Sequence, residues 1–295
     1  MLLGTIISFL LLLSNVLVRA FPSKPPFSSS SSIIKKTIHN QHHDASDTSD
    51  NLSAIFSQTD APFLALITER GSCDSDEALS TQLEILKDAI GTQKIHLVSV
   101  RINMESSKDR VLYLIENLLR YVDHCGSKCR VVVSSDWIDA AVEAKAHGVH
   151  VKETHRHLIP EIRTKYQQAG LKEPIIGTST HSIESALDAL SADYNPDYFF
   201  CGTCYYSESH PEKGLEELEG PELPGQVLNA LRSKGMVHSP VLAIGGIDAT
   251  NCHVPVRHGA SGVAAIRGVL QSPNPVQSVE DIITRMTKVF VNEEV

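Results

Sequence analysis

The sequence lacks an excess of positive charge. Of its 295 residues, 26 are Lys or Arg and 35 are Asp or Glu, which gives a formal net charge of -9 at pH 7. Basic side chains supply most of the attraction to nucleic acids and to anionic membranes, so this charge argues against both as partners of the mature chain. A local basic pocket for a small phosphate stays compatible with it. We therefore expect a small-molecule ligand.

Cysteine is too sparse for a disulfide framework. The chain has six cysteines, whereas small secreted domains held by disulfides carry them at much higher density. Cys201 and Cys204 form a C-x-x-C pair, but a redox pair of the thioredoxin type opens a helix, and Cys201 closes an aromatic strand-like run. We expect ordinary buried or partly buried thiols, with a redox role for this pair as the open alternative.

The amino terminus lacks the basic residues that usually begin a signal peptide. Its first 18 residues are nonetheless almost entirely apolar, and Val18-Arg-Ala-Phe21 fits cleavage after Ala20. We predict a signal peptide over residues 1–20. A membrane anchor is the alternative, because the apolar run is close to the shortest that spans a bilayer.

The composition changes after residue 20. Pro25 and Pro26 lead into an unbroken serine run at residues 28–32, and such a tract cannot bury a core. Residues 21–60 are therefore predicted to be a disordered transit or linker segment. Phe21 and the acid-poor Ser- and Lys-bearing stretch behind it resemble the two-part leader of algae with secondary plastids. This resemblance implies a plastid location, with the secretory pathway as the alternative.

From residue 61 onward, short apolar runs alternate with helical patterns. Strand-like runs fall at residues 63–67, 95–100, 130–133, 148–151, 175–177, 198–201, 241–244 and 262–266. Helical patterns fall at residues 80–90, 112–122, 138–146, 182–190, 223–231 and 279–289. Eight such units in about 235 residues predict a closed (β/α)₈ barrel, a TIM barrel, as one domain over residues 61–295. No G-x-G-x-x-G follows the first run, which argues against a doubly wound dinucleotide-binding sheet.

In such a barrel the functional groups follow the carboxyl ends of the strands. The glycine pair Gly245 and Gly246 closes the seventh run, and Arg267 and Gly268 close the eighth. These two loops commonly form a phosphate cradle from backbone N–H groups and a helix N-terminus. The four residues are predicted to bind phosphate, with a simple tight turn as the alternative for the glycines. His150, inside the fourth run, is expected to be a packed core histidine.

Several motifs follow the predicted strands in a set order. They are Ser135-Asp136 before Ile138-Asp-Ala-Ala141, Gly148-Val-His150, Gly177-Thr-Ser-Thr-His-Ser182, Ala243-Ile-Gly-Gly-Ile247 and Gly262-Val-Ala264. In this order and spacing they resemble the thiamine phosphate synthase/TenI family of barrels. The segments Ser209-His-Pro-Glu-Lys-Gly214 and Leu218-Glu-Gly-Pro221 further resemble its TenI-like members in eukaryotes, of an algal type.

The resemblance implies small phosphorylated thiazole and pyrimidine substrates. A synthase of this family joins a pyrimidine diphosphate to a thiazole phosphate with the help of Mg²⁺. TenI-type relatives include thiazole tautomerases, which move a proton on a phosphorylated thiazole carboxylate and require no cofactor. Proton transfer of this kind needs a phosphate anchor and an acid–base group that titrates near neutrality, as histidine does.

The chain departs from the family pattern at the metal and diphosphate positions. In the second-strand motif Arg101 is kept, but Asn103 replaces a lysine. Asp136 keeps one magnesium carboxylate, whereas His155 stands where the family has the second. Histidine is a poor magnesium ligand, because Mg²⁺ prefers oxygen donors. Efficient synthase chemistry is therefore not expected.

The resemblance also assigns roles to single residues. His181 matches the family position credited with acid–base chemistry and is the predicted catalytic residue. Arg101 and Asp136 are the catalytic residues of the alternative synthase, in which Asp136 would also bind Mg²⁺. Substrate or phosphate contacts are predicted for Ser179, Ser207 and Ser209. Arg267 stands where the family has a small residue, and we expect its guanidinium to clamp the phosphate.

These observations predict an enzyme of thiamine biosynthesis that acts as a tautomerase-like isomerase on a phosphorylated thiazole. The first alternative is a divergent Mg²⁺-dependent thiamine phosphate synthase. The second is a non-catalytic binder of a phosphorylated ligand, since a fold can outlive its chemistry. The oligomeric state is left open, a homo-oligomer included.

Overall fold

The computed structural model describes residues 61–190, 193–208, 211, 213–236 and 238–291. The predicted signal peptide, the predicted transit or linker segment and Ser209 lie outside the described residues. The strands are β1 (Phe63–Ile67), β2 (Leu97–Val100), β3 (Arg130–Ser134), β4 (Gly148–Val151), β5 (Ile175–Thr180), β6 (Tyr198–Cys201), β7 (Val241–Ile244) and β8 (Gly262–Ala265). Each strand pairs in parallel with the next, and β8 pairs with β1, so the sheet is a closed barrel. The predicted (β/α)₈ barrel is confirmed.

Alternate strand residues separate the two parts of the core, because successive side chains of a strand point to opposite faces. In β1, Phe63, Ala65 and Ile67 pack inside the barrel in a cluster that also contains Phe200. Leu64 and the other outward-facing residue of β1 pack instead in the layer between sheet and helices. Both faces of the strands are therefore buried and apolar. This is why the strands are visible in the sequence as continuous apolar runs.

The helices that cover the barrel are longer at several ends than their sequence patterns. They are α1 (Asp76–Gly91), α2 (Lys108–His124), α3 (Ile138–Glu143), α4 (Ile159–Gln168), α5 (Ile183–Asp188), α6 (Leu223–Ser233), α7 (His253–Arg257), α8 (Arg267–Leu270) and α9 (Pro275–Phe290). The sequence patterns missed α4, α7 and α8. Helix α4 buries only Ile159, Ile162 and Tyr166, a stripe too thin to stand out among its polar neighbours, although proline in its first turn is a helix-start signal.

Short 3₁₀ turns connect several strands to their helices at the carboxyl end of the barrel. They cover Arg70–Cys73, Ser135–Trp137, Glu153–Leu158 and Leu215–Glu217. Helix α5 begins directly after β5, and the Ser182 hydroxyl caps it by accepting a hydrogen bond from the Ser185 N–H at 3.0 Å. Because His181 lies between the strand end and this cap, its backbone is held on both sides. Within the described part of the chain, no helix has the length and apolar character needed to cross a membrane.

Candidate functional site

A cavity of about 650 Å³ opens at the carboxyl ends of the strands. The predicted site residues that line it are Arg101, Ser179, His181, Ser207, Gly245, Gly246, Arg267 and Gly268. The barrel therefore brings together residues from five different strand ends, as expected for this fold. Asp136 is not among the described lining residues, although its ion-pair partner Lys152 is.

The glycine pair after β7 lets two loops approach each other closely. Gly245 has φ +100° and Gly246 has φ +64°, a region that side-chain-bearing residues rarely adopt. A Cβ on Gly245 would lie 2.5 Å from Thr203 Cγ2, and one on Gly246 would lie 2.4 Å from the Tyr206 carbonyl oxygen. The Tyr205 N–H donates to the Gly245 carbonyl at 3.0 Å. Both glycines are thus required by the backbone, and the tight turn and the close approach occur together.

This packing leaves backbone donors at the cavity. Among the described residues, no hydrogen-bond acceptor is recorded for the N–H groups of Gly246, Ile247, Arg267 and Gly268. All four residues line the cavity. Free amides at a glycine-rich loop and at the start of a helix are the donors with which proteins bind phosphate.

Three arginines adjoin the same side of the cavity. Burial, followed by the positive charges of Arg70 and Arg267, lowers the pKa of Arg101 to about 10. The Arg101 backbone is fixed by Thr68, whose hydroxyl accepts from the Arg101 N–H at 2.8 Å and donates to its carbonyl at 2.9 Å. The Arg267 guanidinium lies 3.2 Å from the exposed Glu208 carboxylate. The cluster has more positive than negative charge and suits an anionic ligand.

Asp136 is held in an ion pair. The Lys152 Nζ lies 2.7 Å from both oxygens of its carboxylate, and the Ser134 hydroxyl donates to Oδ2 at 3.2 Å. His155, at the position of the second family carboxylate, places Nδ1 3.1 Å from the Ser135 hydroxyl. No group of three or more His, Cys, Asp or Glu suited to a metal occurs among the residues that the structure describes. As they stand, these side chains do not fit the magnesium site of the family pattern.

His181 lies between two carboxylates at the cavity. Its Nδ1 is 3.1 Å from Glu219 Oε1, and its Nε2 is 4.0 Å from Glu153 Oε2. Glu219 also accepts from the Lys213 Nζ at 2.6 Å and from the Thr203 N–H. Burial alone would raise the pKa of Glu219, but these hydrogen bonds outweigh it and lower that pKa below its ordinary value. Glu219 is thus an ionised acceptor that fixes the His181 ring.

The segment that carries His181 is anchored by a buried arginine. Arg156 donates to the Ser179 carbonyl and to the Ser185 carbonyl, each at 2.6 Å, and to the Thr178 hydroxyl at 3.1 Å. These bonds hold the end of β5 and the first turn of α5 on either side of His181. Sequence reasoning missed Arg156, because a charged residue in a polar stretch resembles an ordinary surface residue.

His150 is packed against aromatic side chains, as expected, and it also lines the cavity. Its Nδ1 lies 3.0 Å from the Tyr198 hydroxyl and its Nε2 lies 3.0 Å from the Ser179 hydroxyl. Its ring stacks on Phe200 with 4.4 Å between centroids. Burial, followed by the charge of Arg101, lowers the pKa of His150 to about 3, so the ring is neutral. Glu219 and Lys213 were missed as well; the only signal for them was the resemblance of their segments to eukaryotic TenI-type sequences.

Fold and cavity together define a class: a (β/α)₈ barrel whose anion-suited loops and acid–base groups meet at the carboxyl end of the sheet. A family model described as thiamine monophosphate synthase, TMP-TENI, matches residues 64–269. The chain belongs to this family, and the resemblance seen in the motifs is confirmed. Membership supports a role in thiamine biosynthesis.

Individual relatives agree with this assignment. The thiamine-phosphate synthase of Geobacillus kaustophilus is 33% identical over 143 residues, which cover 48% of this chain and 58% of that protein. The thiamine-phosphate synthase of Geobacillus thermodenitrificans is 30% identical over 152 residues, covering 52% and 62%. The matched part is thus less than two thirds of either relative. The solved thiamine phosphate pyrophosphorylase of Pyrococcus furiosus has a TM-score of 0.57 at 22% identity, over 77% of this chain and 96% of that one, and shows the same fold.

Proposed function

We propose that this chain is a tautomerase-like isomerase that moves a proton on a phosphorylated thiazole carboxylate, without a metal. The observation that carries the proposal is the His181–Glu219 pair at the cavity, with 3.1 Å between Nδ1 and Oε1. An imidazole oriented by an ionised carboxylate is a common acid–base arrangement. His181 also matches the family position to which the sequence resemblance assigns this chemistry.

The direction of the hydrogen bond follows from the charge on Glu219. The ionised carboxylate can only accept, so His181 donates through Nδ1–H, and in the neutral ring Nε2 is then the unprotonated nitrogen. In that form Nε2 takes a proton from one ring atom of the thiazole and returns it to another. The product is an isomer of the substrate, and no co-reactant is consumed. Glu219 stabilises the imidazolium that exists between the two transfers.

The phosphate of the substrate is proposed to sit in the loops after β7 and β8. The free amides of Gly246 and Gly268 would donate to its oxygens, and Arg267 would supply a charge-assisted hydrogen bond after leaving Glu208. Anchoring the phosphate there lets binding energy remote from the reacting ring position it against the acid–base group. Ser179 and Ser207 also line the cavity and are proposed to contact the ligand.

A second candidate is the coupling of a pyrimidine diphosphate to a thiazole phosphate. It is favoured by the names of the relatives, thiamine-phosphate synthase, and by the retained Arg101 at the cavity. This reaction requires the Asp136 carboxylate to bind the metal, but that carboxylate is already paired with Lys152. We therefore rank it second, and simple ligand binding without turnover third.

One set of assays separates the three. The full chain is given the phosphorylated thiazole carboxylate alone, and then the decarboxylated thiazole phosphate together with the pyrimidine diphosphate, each with and without Mg²⁺. Isomerisation followed by proton NMR without metal supports the proposal. Metal-dependent release of pyrophosphate without isomerisation would replace it by the synthase. Calorimetric binding with neither reaction would replace it by the binder.

The place of action is also a proposal. We infer from the composition of residues 1–60 that the chain is directed to a plastid through a secretory-type leader. Expression of a fusion of these residues to a fluorescent protein in an alga with a secondary plastid tests this directly. Fluorescence in the plastid supports the inference, and fluorescence confined to secretory compartments or the medium contradicts it.

A further inference from the structure

Three side chains beside the cavity form a hydrogen-bonded chain that the proposed proton transfer does not use. Tyr198, His150 and Ser179 are joined by two contacts of 3.0 Å, one to each nitrogen of the His150 ring. The register of neighbouring strands brings them together: His150 pairs with Gly177 across β4 and β5, and Gly177 pairs with Tyr198 across β5 and β6. The arrangement is thus fixed by the barrel and does not depend on a flexible loop.

The direction of these bonds follows from the burial of Tyr198. Its relative exposure is 0%, and His150 is the only hydrogen-bond partner of its hydroxyl among the described residues. If His150 carried its proton on Nδ1, the tyrosine hydroxyl would accept that bond, and its own buried proton would have no acceptor. The tyrosine therefore donates to Nδ1, and the proton of the neutral ring is on Nε2.

The next bond is directed in the same way. With its proton on Nε2, His150 donates to the Ser179 hydroxyl oxygen, so the serine proton points elsewhere. No other partner of that hydroxyl occurs among the described residues, and Ser179 lines the cavity. Stacking on Phe200 keeps the His150 ring in the plane that these bonds require.

We infer that Ser179 is a specificity-determining hydrogen-bond donor, whose direction is set by Tyr198 and His150 as positioning residues. The ligand accordingly presents an acceptor, an unprotonated ring nitrogen or a carboxylate oxygen, at this wall of the cavity. A ligand with an N–H or O–H at the same place could use only the second lone pair of the Ser179 oxygen and would leave the serine proton without an acceptor, so it should bind more weakly. The inference rests on the proposed function only in taking this cavity as the site of a phosphorylated azole.

The direction of the Tyr198–His150–Ser179 hydrogen bonds can be measured without any ligand. In the full chain with ¹⁵N-labelled histidine, long-range ¹H–¹⁵N spectra distinguish protonated from unprotonated ring nitrogens; His150 is identified by its loss in His150→Gln. We expect a single form with the proton on Nε2. In Tyr198→Phe the form with the proton on Nδ1 becomes populated. Tyr166→Phe is the matched control, because Tyr166 is also buried but donates to the Ala146 carbonyl at 3.2 Å, and it should leave His150 unchanged.

A proton on His150 Nδ1 in the unsubstituted protein would overturn the inference. So would an unchanged position of the His150 ring proton in folded Tyr198→Phe. Calorimetry with the phosphorylated thiazole carboxylate tests the consequence: Ser179→Ala is expected to weaken binding about three- to tenfold, and Ser179→Thr to restore it. Equal affinities of Ser179→Ala and the original chain would remove the role of Ser179. If the unsubstituted protein does not bind this compound, the proposed function fails. The ¹⁵N spectra still decide the direction of the hydrogen bonds between Tyr198, His150 and Ser179.

Discussion

Lys152 holds both carboxylate oxygens of Asp136, with 2.7 Å from Nζ to each. The Asp136 side chain is only 8% exposed, so its carboxylate has little contact with solvent and pairs with Lys152 instead. We predict that Lys152→Met lowers the free energy of unfolding by about 1–3 kcal/mol, because a nearly buried carboxylate loses its cation. Millimolar Mg²⁺ should restore part of this loss. The measurement is the thermal midpoint with and without Mg²⁺.

Lys165→Met supplies the matched control for this prediction. Lys165 Nζ lies 2.7 Å from Asp139, whose side chain is 80% exposed, and exposed pairs contribute little. Neither this variant nor the original chain should respond to Mg²⁺. A magnesium-dependent midpoint in the original chain, equal to that of Lys152→Met, would show that Asp136 is available to a metal despite Lys152.

His181 and Glu219 are predicted to act as one unit in isomerisation. His181→Ala should lower kcat by about 10²- to 10⁴-fold, the usual contribution of a general acid–base group. Glu219→Gln should give a smaller loss in kcat with little change in KM, because it keeps the shape of the side chain but not its charge. His258→Ala is the control, since His258 pairs with Glu222 at 3.7 Å and neither residue lines the cavity. Full activity in His181→Ala would refute the assignment.

The barrel could be predicted from the sequence because its strands are buried on both faces and follow one another regularly. The runs at β1, β4, β6 and β7 have the bounds that the structure shows. Strand β5 continues past the predicted apolar run to Thr180. The apolar pattern did not include its last residues, because they are polar and face the cavity or the β5–α5 turn. Helix α4 was missed because it buries only three side chains, too few to show a helical period among its polar residues.

The site was predictable only where a single residue carries the signal. Gly245 and Gly246 stood out because adjacent glycines at a strand end are unusual. Glu219 did not, since nothing in a local pattern shows that it reaches His181 from 38 residues away. Likewise, the pairing of Asp136 with Lys152 joins two strand ends and exists only once the barrel has closed.

Arg267 is predicted to exchange its partner Glu208 for the phosphate of the ligand. Arg267→Ser should weaken binding of the phosphorylated thiazole about 10- to 100-fold, the range expected for a lost charge-assisted hydrogen bond. Arg257→Ser removes an exposed charge that does not line the cavity and should leave the affinity unchanged. Calorimetry measures the three affinities. Equal affinities of the unsubstituted protein and Arg267→Ser would exclude a phosphate clamp.

Gly177 is predicted to be essential for the position of Tyr198. A Cβ at this residue would lie 2.0 Å from the Tyr198 ring carbon Cζ, and that ring is completely buried. Gly177→Ala should therefore cost about 1–3 kcal/mol of unfolding free energy, as overpacking in a core does. Gly91→Ala is the control, because its Cβ would meet only the end of the Tyr121 side chain at 3.1 Å. Urea unfolding gives both values, and equal stabilities would contradict the packing argument.

Five of the six cysteines are predicted to be unreactive thiols. All six are free, and only Cys125 is partly exposed. Burial raises the pKa of Cys129 and of Cys204 to about 12, from an ordinary value of 9.0, so both stay protonated and poorly nucleophilic at neutral pH. Iodoacetamide should modify Cys125 alone in the folded chain and all six in urea, as read by mass spectrometry. Native labelling of Cys201 or Cys204 would reopen a redox role for that pair.

Because of these raised pKa values, the folded chain should lose stability as the pH becomes alkaline. A buried thiol stays protonated in the folded chain, whereas in the unfolded chain it releases its proton above about pH 9. Its stabilising contribution is therefore complete below pH 9 and is lost as the pH rises toward 12. Urea unfolding under reducing conditions should show stability falling between pH 9 and pH 10. Cys129→Ala should make this decline shallower, whereas Cys125→Ala should not, because Cys125 is already partly exposed; identical slopes in the two variants would mean that thiol burial does not cause the decline.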